Sequence, residues 1–333
     1  MAVIGKDISR AKALLGNGEL VGIPTETVYG LAGNALDPSA VTKIFSVKNR
    51  PSFDPLIVHV ASADQAKKYV TAIPAQALQL IGAFWPGPLT LLLPKKDIIP
   101  DIVTAGLDRV GIRCPDHPLT LSLLERLPFP LAAPSANPFG YVSPTTPQHV
   151  QDQLGSKIPY ILDGGQCEVG IESTIVGWEN NQTVIYRLGG ISLEQIEAVI
   201  GKVIVQSHST SQPQAPGQLT SHYSPQKKFV LGNINELIKQ YSQSKIGVLS
   251  FKGITIEQTV QQQILSTSGN LEEATRNLFS MLRKFDTMDV DVVVSEEVPD
   301  EGLGRAINDR LRRAAVPSPL PLSSGAMPYP NQD

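Results

Sequence analysis

The sequence predicts an α/β protein of two domains, and three observations support this. Its 333 residues are too many for one small domain. In the first part of the chain strand-like and helix-like segments alternate, and after a stretch rich in Ser, Gln and Pro at 207–226 the alternation resumes over a shorter length. We therefore expect a large domain over 1–205, a linker over 206–226, a small domain over 227–316 and a flexible tail over 317–333.

Apolar periodicity predicts the elements of the first domain. Segments with helical spacing that end near Gly or Pro predict helices at 8–15, 39–47 and 75–84, and the capping-box pattern of Ser192 and Gln195 predicts a further helix to about Ile200. Short runs rich in Val, Ile and Leu predict strands at 20–23, 55–60, 89–93, 110–112, 130–133, 160–162, 174–176 and 183–186. Strands outnumber the helices between them, so we expect a mixed sheet rather than a purely parallel one.

The second domain is predicted to be a smaller, Rossmann-like α/β unit with parallel strands. Its expected strands and helices lie at 229–231, 245–251 and 290–295, and at 271–285 and 306–314. Gly302-Leu303-Gly304-Arg305 follows a strand and opens a helix, as a phosphate-binding turn would. It lacks the third glycine of a dinucleotide fingerprint, so we expect this turn to be structural.

Composition restricts the function classes. The net charge is −3 and 18% of residues are charged, so no overall basic field indicates a nucleic-acid or membrane partner, and a polyanion site would be local. The two cysteines, Cys114 and Cys167, are expected to be buried free thiols, and no Cys/His spacing suggests zinc. No signal peptide and no run of membrane-spanning length is found, which predicts a cytoplasmic protein.

Cations and hydroxyls recur at the ends of predicted strands. Thr25 to Thr27 follow one strand, Arg109 and Arg113 flank another, and Arg187 ends a third. Open α/β sheets bind ligands in crevices at strand ends. The planar guanidinium of Arg donates paired hydrogen bonds to phosphate or carboxylate. These residues predict a site for an anionic, phosphate-bearing ligand, and by themselves they do not identify that ligand.

The same residues form a series of motifs that resembles the YrdC-like family of threonylcarbamoyl-AMP synthases in its longer, two-domain form. The pieces of the first domain run in order: P-T-E-T-V-Y-G-L (24–31), K-N-R-P (48–51), P-L-I-V-H (55–59), W-P-G-P-L-T (85–90), R-C-P-D-H-P (113–118), A-P-S-A-N (133–137), S-P-T (143–145), D-G-G (163–165), G-I-E-S-T-I (170–175) and Y-R-L-G (186–189). Beyond them the linker carries P-G-x-x-x-x-H-Y-x-P (216–225), and the small domain carries G-L-G-R-A-I-N-D-R (302–310).

The resemblance implies both a fold and a reaction. The fold is a YrdC-like twisted mixed sheet with flanking helices, joined by the long linker to the smaller domain. The reaction is a nucleotidyl transfer: ATP, L-threonine and bicarbonate give threonylcarbamoyl-AMP and pyrophosphate, with Mg²⁺ accompanying ATP. The product would pass to a tRNA-modifying threonylcarbamoyl transferase, for threonylcarbamoyladenosine formation in tRNAs that read ANN codons.

The resemblance also implies roles for individual residues. The positions that would contact threonine are Thr27, His59, Arg113, Ala133 (through its backbone) and Ser173. The positions that would contact ATP are Lys48, Arg50, Asp54, Arg109, Ser135, Ser143, Arg187 and, from a linker acting as a lid, Tyr223 and Ser224. Lys48 and Arg50 would act electrostatically. No acid, base or protein metal ligand is assigned.

Two other functions fit parts of the sequence. An RNA-binding module could use the basic group Lys48, Arg50, Arg109 and Arg113, although only 6% of residues are aromatic and the net charge is acidic. A carbamoyl-handling maturation factor is a second alternative, which the full linker motif disfavours. Direct tRNA binding stays open.

Overall fold

The apolar runs of the first domain pair into one large mixed sheet. The computed structural model describes residues 1–180, 182–206, 215–216, 223–255 and 260–316. Within these residues eleven strands form the sheet, in the spatial order β1-β8-β2-β3-β7-β4-β6-β5-β9-β10-β11. Their bounds are β1 Val3–Gly5, β2 Val21–Ile23, β3 Gly30–Asn34, β4 Ile57–His59, β5 Leu89–Pro94, β6 Arg109–Arg113, β7 Leu131–Ala132, β8 Tyr160–Leu162, β9 Thr174–Glu179, β10 Gln182–Arg187 and β11 Ile204–Val205.

The pairing of the central strands decides which side chains can meet. Strands β4 and β6 are parallel and in register, so His59 lies opposite Arg113 at their carboxyl ends. Strand β5 is antiparallel to β6 and parallel to β9, while β10 is antiparallel to β9. The last residue of β10, Arg187, therefore lies beside Ile175 near the beginning of β9. At one end of these strands, therefore, the end of β6 lies on the same side of the sheet's long axis as the beginning of β9 and the end of β10.

Helices cover both faces of this sheet. Helices α1 and α6 pack on one face with Val21, Ile23 and Tyr160, while α2, α4, α7 and α8 pack on the other with Leu31 and Val58. The bounds are α1 Ile8–Gly16, α2 Pro38–Lys48, α3 Ala63–Ala66, α4 Ala75–Phe84, α5 Asp101–Thr104, α6 Pro118–Arg126, α7 Pro147–Leu154 and α8 Leu193–Ile200. Among the described residues, none of the helices has the length and apolar character needed to cross a membrane.

The small domain has a four-stranded, all-parallel sheet in the order β12-β15-β13-β14. Its elements are β12 Lys228–Leu231, α9 Ile234–Gln240, β13 Ile246–Ser250, β14 Gln261–Ile264, α10 Leu271–Thr287, β15 Val292–Ser295 and α11 Gly304–Ala314. The Gly302–Arg305 turn contacts the carboxylate of Glu194 in α8, a structural contact between the domains.

The predicted fold class is confirmed, and so are the mixed large sheet, the parallel small sheet and the capping box at Ser192. The sequence pattern did not predict the short elements β1, β3, β11, α3, α5 and α9, nor α6 and α7, which each begin with a proline. It also missed β14, whose Gln-Gln-Gln-Ile has no apolar alternation and is a strand because it pairs with β13. The domain boundaries stay predictions. Most of the predicted linker, and the whole of the predicted tail at 317–333, lie outside the described residues.

The two domains share a continuous apolar core. Val28, Tyr141 and Ile171 of the large domain are in one buried cluster with Leu278 and Phe279 of α10. The backbones of the two domains come close together at Gly170, which has φ +84°. A Cβ there would lie 2.5 Å from the Cα of Arg276 and 2.7 Å from the Thr275 oxygen. Only glycine fits this point without moving α10.

We predict that Gly170→Ala destabilises the docked domains. The methyl group combines backbone strain with a clash against helix backbone, so we expect a loss of about 2–4 kcal/mol in the free energy of unfolding. Gly106→Ala is the matched control, because Gly106 has φ +80° but no heavy atom within 4 Å of the added Cβ. It should lose about 1–2 kcal/mol from strain alone. Equal losses in urea titrations of the two variants would contradict the close approach.

Candidate active site

A cleft lies over the middle of the large sheet. The cleft is lined by Ile57 and His59, which are alternate residues of β4. It therefore extends over one face of the sheet as well as along the ends of its strands. Linker residues close it from above: Pro216 and Tyr223 line it, and Ala215 is buried beside Ile57. The full lining is Thr25, Thr27, Val28, Gly30, Arg50, Pro55, Leu56, Ile57, His59, Arg113, Ala133, Pro134, Ser135, Glu172, Arg187, Pro216 and Tyr223.

Arg113 and His59 form one end of the cleft. Both are buried, at 4% and 3% exposure, and the strand register places them side by side. Arg113 Nη2 lies 2.7 Å from Glu26 Oε1, and this ion pair is buried as well. Burial, with the nearby Arg113 charge, lowers the pKa of His59 to about 3. At neutral pH the imidazole at this end of the cleft is therefore neutral.

Arg50 and Arg187 provide two further guanidinium groups. Arg50 donates to the backbone oxygens of Asp54 and Pro55, at 3.1 and 2.8 Å, and pairs with Asp54 Oδ2 at 2.9 Å. Arg187 donates to the Ser173 oxygen and Oγ, both at 3.0 Å. Burial lowers the pKa of Arg50, and it lowers that of Arg187 to about 10. Both groups stay cationic at neutral pH, so the described lining carries three arginine charges.

Two loops shape the floor of the cleft. Thr25 Oγ1 donates to the Val28 oxygen at 2.6 Å and is 2.8 Å from Thr27 Oγ1, which holds the loop before β3 in a tight turn. Ala133 donates its N–H to the Ile57 oxygen at 3.0 Å, and Gly30 bridges to Ser135. Thr27, Ala133 and Ser135 all line the same cleft as the three arginines.

Lys48 supports one of these loops from behind. It ends α2, is 1% exposed, and donates from Nζ to the backbone oxygens of Ser135 and Asn137. Burial first, and the Arg50 charge second, lower its pKa well below the ordinary value. In the described structure Lys48 does not line the cleft, and its contacts fix the loop that does.

The remaining predicted residues lie around the cleft at different depths. Ser173 and Asp54 form its second layer through Arg187 and Arg50, and Ser143 Oγ donates to Glu172 at 2.6 Å. Ser224 follows Tyr223 and contacts Ala314 of α11. Arg109 is at the opposite end of β6 from Arg113, where its guanidinium meets Tyr186 and Glu179. It is therefore not brought together with the other three arginines.

Two carboxylates at the site were not singled out as site residues from the sequence. Glu172 lines the cleft, and Glu26 pairs with Arg113 just outside it. Each is the third residue of its motif, P-T-E-T-V-Y-G-L or G-I-E-S-T-I, but a carboxylate in a predicted anion site gives no reason to assign it a role. Their arginine partners provide that reason.

Cleft carboxylates offer little to a resident metal ion. Glu26, Asp54 and Glu172 are each paired with an arginine, and the described part of the chain contains no cluster of three potential ligands. Asp54 Oδ1 has no hydrogen-bond partner among the described residues. These residues fit only an ion that takes its oxygen ligands chiefly from a bound phosphate and from water.

We predict that His59→Gln makes folding less sensitive to acid. Since the pKa of His59 is lowered in the folded protein, the unfolded chain gains a proton below its ordinary pKa that the folded chain refuses, and stability is lost as pH falls from about 6.5 toward 3. Removing His59 should eliminate roughly 3 kcal/mol of the loss between pH 7 and pH 4. Urea titrations across this range measure it. His149, whose pKa is lowered to about 4 by burial, is present in both proteins, so parallel curves would show that His59 protonates normally.

Comparison with known protein families gives two matches that together cover most of the chain. A model of the Sua5, YciO and YrdC group, described as "Telomere recombination", matches residues 13–189. A second, described as "Threonylcarbamoyl-AMP synthase, C-terminal domain", matches residues 191–316. The first takes in β2 to β10 and most of the cleft lining, and the second takes in α8, β11, the linker and the small domain.

Individual relatives match over almost the full length. A threonylcarbamoyl-AMP synthase of Pyrococcus abyssi is 40% identical over 320 residues, covering 92% of this chain and 93% of its own. A Bacillus subtilis protein of the same name is 42% identical over 322 residues, covering 92% of each chain. The crystal structure of P. abyssi Sua5 complexed with L-threonine superposes with a TM-score of 0.89 at 38% identity, covering 95% of this chain and 97% of that one. The chain belongs to the Sua5/YciO/YrdC family, in the form that carries the additional carboxyl-terminal domain.

Proposed function

We propose that the chain is a threonylcarbamoyl-AMP synthase, a nucleotidyltransferase that joins L-threonine, bicarbonate and ATP. The observation that supports this most is the set of three buried arginines, Arg50, Arg113 and Arg187, around one cleft. The reaction brings a carboxylate and a triphosphate together, and such a cleft has cations for both. The relatives' name and the L-threonine complex of the P. abyssi protein agree with this proposal.

Threonine would bind at the end of the cleft formed by His59 and Arg113. Its carboxylate would take hydrogen bonds from Arg113, sharing this guanidinium with Glu26 or displacing it. Neutral His59 could accept a hydrogen bond from the ammonium or hydroxyl group. Thr27 and the Ala133 backbone line the same cleft and would fix the orientation of the amino acid, with Ser173 reaching it through Arg187.

ATP would lie along the rest of the cleft, with its phosphates between Arg50 and Arg187. Ser135 lines this part directly, and Lys48 holds the Ser135 loop in place. Tyr223 would close over the nucleotide from the linker, with Ser143 and Ser224 behind it. Mg²⁺ would enter with ATP and neutralise phosphate charge, with its oxygen ligands supplied by the phosphates and by water.

The chemistry requires no covalent bond to the protein. The threonine amine attacks the carbon of bicarbonate, water leaves, and the resulting carbamate oxygen attacks the α-phosphorus as the bond to pyrophosphate breaks. Arg50 and Arg187 would stabilise the charge that develops on the phosphate oxygens, without reorganising during the step. Closure by linker residues would exclude water, to which both the carbamate and the mixed anhydride are sensitive.

The product would serve threonylcarbamoyladenosine formation in tRNAs that read ANN codons, through a separate transferase. The RNA-binding alternative fits the structure less well. Arg50 and Arg113 are both under 10% exposed and carry buried carboxylate partners, so they do not form an open basic surface for a polynucleotide.

We predict that Arg113→Ala and Arg50→Ala remove activity through different substrates. Arg113→Ala should raise KM for threonine at least about tenfold, because it deletes the carboxylate partner. Arg50→Ala should reduce kcat by about a hundredfold or more, because it deletes a phosphate cation. The measurement is mass spectrometry of threonylcarbamoyl-AMP formed from ATP, threonine, bicarbonate and Mg²⁺, with each reactant omitted in turn.

Arg126→Ala is the control for these variants, because Arg126 is an exposed cation at the end of α6. It should match the unaltered protein. Product formation that needs neither threonine nor bicarbonate, or full activity in both cleft variants, would contradict the proposed function.

A further inference from the structure

The small domain sends a charged side chain toward the cleft. Arg310, on α11, is the largest fully buried side chain in the described part of the molecule. Its guanidinium donates to Glu172 Oε2 from Nε at 3.3 Å and from Nη2 at 3.1 Å. It also donates from Nη1 to the Leu188 oxygen at 2.7 Å and to Asp309 Oδ2 at 2.9 Å. Three different groups, two of them in the large domain, therefore fix its orientation.

Glu172 is the only carboxylate that directly lines the described cleft. Its second oxygen, Oε1, accepts the Ser143 hydroxyl at 2.6 Å. Burial acts to raise the pKa of Glu172, but Arg310 first and Arg187 second outweigh it, so the pKa is lowered and the group is ionised. A negative charge in a cleft for phosphates repels the ligand unless a cation accompanies it.

Arg187 cannot neutralise Glu172 alone and also bind phosphate. It contacts Ser173 and the Pro216 oxygen and would be one of the two cations beside the phosphates in the proposed complex. If Arg310 were absent, the Glu172 carboxylate would draw Arg187 toward itself and away from the ligand. Arg310 thus keeps one cleft cation available by satisfying the cleft carboxylate from outside.

The same helix also contacts the linker. The guanidinium carbon of Arg310 lies 5.2 Å from the ring centroid of Tyr223, and Arg313 lies 5.6 Å from it. Phe279 of α10 stacks on this ring with centroids 5.4 Å apart. Arg310 therefore contacts two residues that line the cleft, Glu172 of the large domain and Tyr223 of the linker.

We propose that Arg310 is a positioning residue of the nucleotide site, contributed by the small domain: it neutralises Glu172 and so leaves Arg187 free to bind phosphate. This inference rests on the proposed function for its ligand, ATP. It makes the small domain part of the binding site by charge, in addition to its packing against the large domain.

The test is a double-mutant cycle of Arg310→Gln and Glu172→Gln in the full chain. Arg310→Gln should raise both KM and Kd for ATP about tenfold or more, with a smaller effect on KM for threonine. Adding Glu172→Gln should bring both ATP constants back to within about threefold of the unaltered protein, because the uncompensated carboxylate is gone. A purely structural role predicts no such recovery.

Two controls separate positioning from domain docking. Arg305→Gln removes another ion pair between the domains, with Glu194, away from the cleft. Arg312→Gln, on the same helix as Arg310, removes an exposed ion pair with Glu297, which precedes that helix. Neither should change the ATP constants by more than about twofold. If Arg310→Gln fails to fold, Arg310→Lys keeps the charge and should keep most ATP affinity.

The readouts distinguish the two proposals. If the unaltered protein binds ATP by calorimetry but makes no threonylcarbamoyl-AMP, the synthase proposal fails while the cycle still tests Arg310 through Kd. The Arg310 inference is overturned if Glu172→Gln does not restore ATP binding, if Arg310→Gln behaves like Arg305→Gln, or if a folded Arg310→Lys loses ATP affinity.

Discussion

Burial of several arginines around one cleft is the constraint on which the rest of this structure depends. A guanidinium removed from water costs a large free energy unless hydrogen-bond acceptors and counter-charges replace the water. Arg50 has Asp54, Arg113 has Glu26, and Arg187 has the oxygens of Ser173. Each partner is placed by a strand end or a loop beside it, so the local fold and the electrostatics of the cleft are specified together.

The cleft therefore has cations for an incoming anion, although two of these cations are already paired with carboxylates. Since Arg50 and Arg113 already carry carboxylate partners, an incoming carboxylate or phosphate must share or replace these partners. Buried ion pairs add little net stability and are strongly destabilising when one partner is removed. They are therefore better understood as devices that hold cations in position than as the source of stability, which comes from the apolar clusters on both faces of the sheet.

The sequence predicted elements with strong local patterns and missed those defined by partners. The capping box at Ser192 is local, and it was found. Strand β14 depends on its pairing with β13, and it was not found. The motifs identify His59 and Arg113 as members of one group, but only the structure shows that they lie opposite each other on β4 and β6. Arg310 belongs to the motif at 302–310, but its contact with Glu172 joins residues 138 positions apart, and no pattern in the sequence indicates this contact.

The account's central claim is that threonine and the triphosphate of ATP occupy this one cleft and share its arginines. A crystal structure of the protein with L-threonine, a non-hydrolysable ATP analogue and Mg²⁺ tests the claim most directly. We expect the threonine carboxylate on Arg113 beside His59, and phosphate oxygens within hydrogen-bond distance of Arg50 and Arg187. Nucleotide bound in the small domain, or threonine bound away from Arg113, would contradict the account.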